Sequence, residues 1–331
     1  MNNNQLYPLS FIPLYKERIW GGNALETVLS RTLPDHNDPI GEAWELVDRD
    51  GDQSCVESGP LAGKTLGELV KSFGSSLLGS NCKNCDRFPL LVKLIDAKER
   101  LSLQVHPDKN ACAIIGNGAE PKTEMWYIIS AGPAGQILAG LSSRATKISL
   151  VDRLESGNHL EELLQTYASK PGDAFFIPSG TIHAIGQDNL LLEIQQNSDT
   201  TYRLSDWGRL DSNGNPRQLH IQDGIKSIDF TNKVSTRIAG AVDTASHNRK
   251  FETVICPYFQ VFDLRLAGPW EDKTSNSFHL LSAINGPVKI TWQDQIFKLT
   301  TGRTMLIPAS CGNYTIQPDN IPNVTVIKTT L

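Results

Sequence analysis

Turn residues interrupt this chain too often to allow long helices. The stretches FPLLVKLID (88–96), EMWYIIS (124–130), DAFFIPS (173–179) and NLLLEIQQNS (189–198) run for at most ten residues before Gly, Pro, Asn or Asp closes them. Apolar runs of that length and bounding read as strands. LSLQVH (101–106) carries the clearest alternation, with Leu101, Leu103 and Val105 set against Ser102, Gln104 and His106. A period of two places the apolar trio on one face and the polar trio on the other. That polar face meets either solvent or a cavity. Two segments read as packing helices instead. Lys64–Gly79 has Leu66, Leu69, Val70, Phe73 and Leu77 at helical spacing, and Asp152–Ala168 has Leu160, Leu163, Leu164 and Tyr167. The expected class is mostly β, closed or sandwiched, with a few packed helices.

A weak internal repeat refines this. KPGDAFFIPSGTIHAI starts at Lys170 and LTTGRTMLIPASCGNYTI at Leu299. Each has a Gly, an Ile-Pro pair closing a strand with the Pro six residues on, and a polar position five beyond the Pro. That position is His183 in the first copy and Asn313 in the second. A Gly turn feeding a strand that ends at Pro suits a jelly-roll edge. Two jelly-roll modules are therefore expected, 1–242 and 243–331, with DTASHNRKFETV (243–254) leading into the second. If His183 binds metal, the second module has lost that ligand and is structural.

A length of 331 residues allows two domains. The formal net charge of -5 gives no reason to expect nucleic acid or an anionic membrane as partner. MNNNQLYPLSF lacks the basic and apolar regions of a secretory signal, and no run approaches a membrane span. The six cysteines are sparse, which fits a reducing, cytoplasmic setting. Cys82 and Cys85 form a lone CxxC without a second ligand pair and read as a surface loop. Nothing demands a dimer, so a monomer is expected.

Gln104, His106, Glu124 and His183 converge if the strands close into a barrel. Two imidazoles and two side-chain oxygens suit zinc, with a coordination position left for water or substrate. Either histidine taken singly reads as a hydrogen-bonded structural residue. Four ligand-capable side chains on inward faces together read as a site.

The residues LSLQVHPDK, KTEMWY, PSGTIHA and LLEIQQNSDTTYR closely resemble the motifs of type I mannose-6-phosphate isomerases, the phosphomannose isomerases, in their short bacterial form. YKERIWGG (15–22), IGEAWELV (40–47) and FPLLVKLIDAKERLSLQVHP extend the likeness. It is strong from Tyr15 to about Arg209 and weaker beyond, as a second cupin-like module. The resemblance implies a cupin fold, one Zn²⁺ per chain on Gln104, His106, Glu124 and His183, and interconversion of mannose 6-phosphate and fructose 6-phosphate. It implies Arg203 and Glu193 as catalytic residues, and Ser102, Lys93 and Lys122 near the phosphate. Two departures stand out: Thr123, where many relatives carry Pro, and LSDWGR after Arg203, which differs from the longer eukaryotic form.

Such a reaction moves a proton between C1 and C2 through a cis-enediol, so it needs an acid, a base and charge stabilisation. Glu193 is the candidate base; a metal-bound water or His106 are the alternatives. Arg203 offers a permanently charged fork, with an ion pair to Asp199 or Asp206 as its ordinary role. Lys93 reads otherwise as a snorkelling surface lysine. Trp20 reads either as a sugar-facing ring or as core, and Trp126 reads as packing. Two other functions fit parts of the pattern. An iron-dependent cupin oxygenase would use His106, His183 and Glu124, but Gln104 fills a position oxygen needs. A non-catalytic metal-binding cupin for sugar phosphates would have no use for Arg203, Glu193 and the lysines.

Overall fold

A computed structural model describes residues 5–35, 39–83, 85–157, 159–210, 214–231, 237–238, 240 and 247–331. The expected boundary at 242/243, the start of DTASHNRKFETV and Met1–Asn4 lie outside the described residues.

The architecture is mostly β, in antiparallel sheets. One seven-stranded sheet runs in the order Arg237–Ile238, Ala174–Ile177, Glu124–Ala131, Asn189–Gln196, Leu90–Ala97, Ile40–Leu46 and Leu14–Gly22. A five-stranded sheet runs Leu164–Ala168, Gln136–Leu141, His183–Ile185, Leu103–Val105 and Tyr202–Ser205. Ile95, Trp126 and Leu191 from the first pack with Ile137, Ala139 and Ile185 from the second in one buried cluster. The opposite face of the large sheet, with Leu94, Met125 and Leu192, joins a larger core with the C-terminal strands. Every residue of Leu90–Ala97 is buried. A strand covered on both faces needs a near-continuous apolar run, as this one has. Lys93 and Asp96 interrupt it.

A second seven-stranded sheet holds Arg249–Ile255, Gln260–Leu266, Val324–Thr330, His279–Ala283, Thr304–Ile307, Leu9–Ile12 and Cys55–Val56. A four-stranded sheet holds Trp270–Lys273, Asn313–Pro318, Val288–Trp292 and Gln295–Leu299. Leu9 pairs with Leu306, so the start of the chain is stitched into the C-terminal sheet. Tyr127 Oη donates to Asp263 at 3.1 Å across the same junction. No helix among the described residues is long and apolar enough to cross a membrane.

Four expectations change. The Lys64–Gly79 helix is two: Leu66–Phe73, opened by a Thr65/Glu68 capping box, and Ser75–Leu78. Gly74, at φ +45°, turns the chain between them. The Asp152–Ala168 helix is Lys147–Ser156, ended by Gly157 in the left-handed region. Its expected second half is a 3₁₀ turn and then the strand Leu164–Ala168, paired with Gln136–Leu141. Leu160, Leu163 and Leu164 do enter the core, beneath the small sheet; edge pairing overrides their helical spacing. In LSLQVH only Leu103–Val105 is laddered. Leu103 and Val105 face the core under the small sheet, whereas Leu101 sits between the sheets beside Trp20. Finally, Cys82 and Cys85 are joined as a disulfide rather than free, because the tight loop brings their Cα atoms to 5.9 Å.

Candidate active site

The register explains how distant residues meet. Gln104 pairs with both His183 and Arg203 on the small sheet. On the large sheet Glu193 lies between Lys93 and Trp126. Trp126 and Leu191 belong to the cluster between the sheets, and strand parity puts Glu124, Lys93 and Glu193 on that same face. The strand ends at Val105, just before His106 and Pro107, and Asp108 caps the next helix by accepting from Ala111 N at 2.7 Å. Gly180, at φ +87°, turns the chain toward His183, and its N–H donates to His106 O at 2.8 Å. A side chain there would strike Asp229. Thr123 has a positive role. Its N–H donates to Gln196 Oε1 at 2.9 Å and its hydroxyl accepts from Ser179 N at 3.2 Å. This ties the strand of Glu124 to the turn before His183, and proline could make neither bond.

His106, Glu124 and His183 are fully buried, and their ligand atoms lie within 4.8 Å of one another. His106 Nδ1 lies 2.9 Å from Thr200 O, and His183 Nδ1 lies 2.8 Å from Thr181 O. A carbonyl only accepts, so each Nδ1 carries the proton and each neutral ring leaves Nε2 bare. Both Nε2 atoms face Glu124 at 3.4 Å. His183 Nε2 and both Glu124 oxygens lack a hydrogen bond. Three groups of lone pairs converging in a buried pocket repel unless a cation sits among them. The set therefore fits a divalent metal. Here the Lys122 ammonium supplies positive charge, 2.8 Å from Glu124 Oε2 and 3.1 Å from His106 Nε2. Burial and the Lys122 charge push the His106 imidazole down to about 4. Burial alone would raise the Glu124 carboxyl, but Lys122 and the imidazoles outweigh it and hold it well below the carboxylate range.

A cavity of about 630 Å³ opens beside this trio, lined among others by Gln104, Lys122, Ser102, Lys93, Glu193, Arg203 and Trp20. Lys93 is not a surface lysine. It is 7 % exposed, 3.3 Å from Glu193 Oε1 and over the Trp44 ring. Burial would lower its pKa, but Glu193, Glu42, Asp199 and Glu124 outweigh that and raise it. Glu193 Oε2 also accepts from Trp126 Nε1 at 2.9 Å, and the Trp126 ring stands edge-on to His183 at 5.3 Å. Trp126, expected as packing alone, connects the metal trio to Glu193. Arg203 makes no ion pair with Asp199 or Asp206 among the described residues. Its Nη1 donates to Gln218 O at 2.8 Å, and Asp206 is held by Arg209 and Arg217. Trp20 is buried in the core between the sheets and also lines the cavity wall.

Sequence reading did not find Glu42, Trp44, Arg18 or Arg217, which also line the cavity. Glu42 accepts from Arg18 Nε at 3.0 Å and from Trp44 Nε1 at 2.6 Å. The polar alternation of IGEAWELV was the available signal.

Comparison with known proteins now decides the family. Residues 9–128 match the phosphomannose isomerase type I catalytic domain, and residues 249–320 match the mannose-6-phosphate isomerase cupin domain. The mannose-6-phosphate isomerase ManA of Bacillus subtilis is 37% identical over 94% of this chain and 96% of its own. The chain belongs to the type I phosphomannose isomerase family. It is an isomerase of that family, not the oxygenase or the non-catalytic cupin. A mannose-6-phosphate isomerase of Streptococcus mutans is 32% identical over the same shares of both chains. The crystal structure of the Bacillus subtilis mannose 6-phosphate isomerase superposes with a TM-score of 0.87 at 35% identity, covering 98% of this chain and 100% of that one.

Proposed function

We propose that this isomerase interconverts mannose 6-phosphate and fructose 6-phosphate through a cis-enediol, with one zinc ion on His106, Glu124, His183 and Gln104. The observation that carries the metal is the bare, buried Nε2 of His183 facing a carboxylate oxygen, Glu124 Oε1, that has no hydrogen-bond partner. Gln104, in register with His183 and on the cavity wall, adds a neutral oxygen. When bound, the metal supplies Lewis-acid polarisation of the sugar oxygens at C1 and C2.

The remaining work falls to the chain. Glu193 takes the proton from one carbon and returns it to the next. The Lys93 ammonium and the Trp126 N–H hold its carboxylate in place. Arg203 supplies fixed positive charge to the enediolate, and its buried Nε has no partner in the protein. Lys93, Lys122, Ser102 and Trp20 contact the substrate from the cavity wall. Six cationic side chains and four carboxylates line that cavity, an excess of two positive charges that matches a phosphate dianion. Such a dianion does not cross a bilayer unaided, which supports a cytoplasmic setting. The chain acts as a monomer on a small sugar phosphate.

The test is a coupled assay on mannose 6-phosphate in deuterated water, before and after chelation and after zinc is restored. Activity lost with chelator and regained with zinc, with solvent deuterium at C1 of the fructose 6-phosphate formed, is the expected outcome. A zinc-loaded protein that turns over no mannose 6-phosphate contradicts the substrate.

A further inference from the structure

The positive charge of the cavity is unevenly compensated. Lys93 faces Glu193 and also feels the charge of Asp199, Lys122 faces Glu124, Arg18 faces Glu42 and Lys16 faces Asp52. Arg203 has no carboxylate partner among the described residues, and Arg217 shares Asp206 with Arg209. Two guanidiniums on one carboxylate leave a net positive charge, and the free guanidinium of Arg203 adds to it. The excess therefore lies on the wall formed by Arg203 and Arg217.

That wall is built rigidly. His220 N–H donates to Arg203 O at 2.8 Å, Arg203 N–H donates to His220 Nδ1 at 3.2 Å, and Arg203 Nη1 donates to Gln218 O. Residues 217–220 are thus strapped along the strand Tyr202–Ser205. The helix Ile221–Ser227 clamps the strap down, because Gly224 lies against Leu204 with no room for a side chain. Arg217 spends Nε and Nη2 on Asp206, which leaves Nη1 outside that pair. Burial and then the neighbouring Arg217 charge pull the Arg203 pKa down, so the two cations repel across the cavity. Fixing like charges together in a half-buried site is unfavourable unless an anion comes between them.

We propose that Arg217 binds the phosphate of the substrate and sets the requirement for a phosphorylated sugar, while Arg203 serves the enediolate. This rests on the sugar-phosphate reading above. The Asp206 pair holds the guanidinium through Nε and Nη2 and leaves Nη1 for the dianion, a division of donors that a lysine ammonium cannot reproduce.

The test compares wild type with Arg217→Met and Arg217→Lys. The readouts are kcat and KM for mannose 6-phosphate, inhibition by inorganic phosphate, calorimetric phosphate binding, metal content and Tm. A phosphate contact predicts that Arg217→Met raises both KM and the phosphate inhibition constant ~10- to 100-fold at unchanged metal content. Arg217→Lys, which keeps charge but loses the fork, should fall between. A purely structural Arg217 would lower Tm and leave the phosphate constants of the folded protein unchanged, which overturns the proposal. If Arg217→Met does not fold, the Arg217→Lys phosphate constant decides alone: raised supports, unchanged overturns. Calorimetry keeps the two readings separable. A wild type that binds phosphate through Arg217 yet does not isomerise mannose 6-phosphate retains this site and refutes the assigned reaction.

Discussion

The two N-terminal sheets and the two C-terminal sheets each hold a cluster of histidine, lysine and carboxylate side chains, and the two clusters behave differently. In the first, His106 and His183 bond backbone carbonyls through Nδ1, Lys122 sits on Glu124 Oε2 and His106 Nε2, and His183 Nε2 faces Glu124 Oε1 with no hydrogen bond at either atom. In the second, His279 Nδ1 meets Tyr314 Oη at 2.7 Å and Lys328 meets Asp272 at 2.6 Å. None of these four side chains has a buried atom without a partner. The repeat position of His183 is Asn313, which is exposed, while its neighbour Tyr314 fills the interior. A cluster whose bonds close on themselves stabilises a fold; one that leaves acceptors facing each other is waiting for a cation.

The sharpest break between them is mutational. His183→Ala should lower kcat at least ~100-fold and abolish stoichiometric metal, since even outer-shell changes cost ~10- to 100-fold. His279→Gln should leave kcat within about twofold. Assay and elemental analysis of both proteins check this.

Acid should separate the clusters next. Burial, reinforced by Lys328, pushes the His279 imidazole down to about 4 from its ordinary 6.5. A depressed pKa contributes stability that is complete above the unfolded value and lost as pH falls through the folded one. Wild type should therefore lose roughly 3 kcal/mol between pH 6.5 and 4 through this residue, and His279→Gln should flatten that slope. Denaturant titrations across that range, both proteins metal-free, are the check. An unchanged slope would place His279 outside the acid response.

Metal removal acts on the first cluster alone. At a metal concentration 100 times Kd, chelation should cost wild type about 2.7 kcal/mol, seen as a fall in Tm. His279→Gln should respond equally, and His183→Ala not at all.

The smallest effect tests Trp126. Trp126→Phe keeps an aromatic six-membered ring but removes the N–H donated to Glu193. kcat should fall roughly tenfold with KM nearly unchanged, the worth of one hydrogen bond to a charged group. An equal loss in metal content would mean that the ring acts through His183 instead.

Local patterns carried the parts of the site that depend on local geometry. Strand parity in LSLQVH grouped Ser102 and Gln104 on one polar face, which the structure sets on the cavity wall, and the Gly-to-Pro repeat singled out both His183 and its counterpart Asn313. What depends on long-range register stayed hidden. Nothing near Trp126 in the chain announces Glu193, which the register sets beside it. Arg217 reaches the cavity only because residues 217–220 are strapped to Arg203. The segment around Leu164 was misread because its apolar spacing satisfies a helix locally, while the open edge of Gln136–Leu141 selects a strand. The disulfide was missed for a related reason: three residues of separation do not say whether two thiols turn toward each other.

Elemental analysis of the purified chain and of Glu124→Gln tests the central claim most directly. The account predicts one metal ion per wild-type chain and none in Glu124→Gln, with both proteins folded. Two ions per wild-type chain, or a full ion retained without the Glu124 carboxylate, would contradict it.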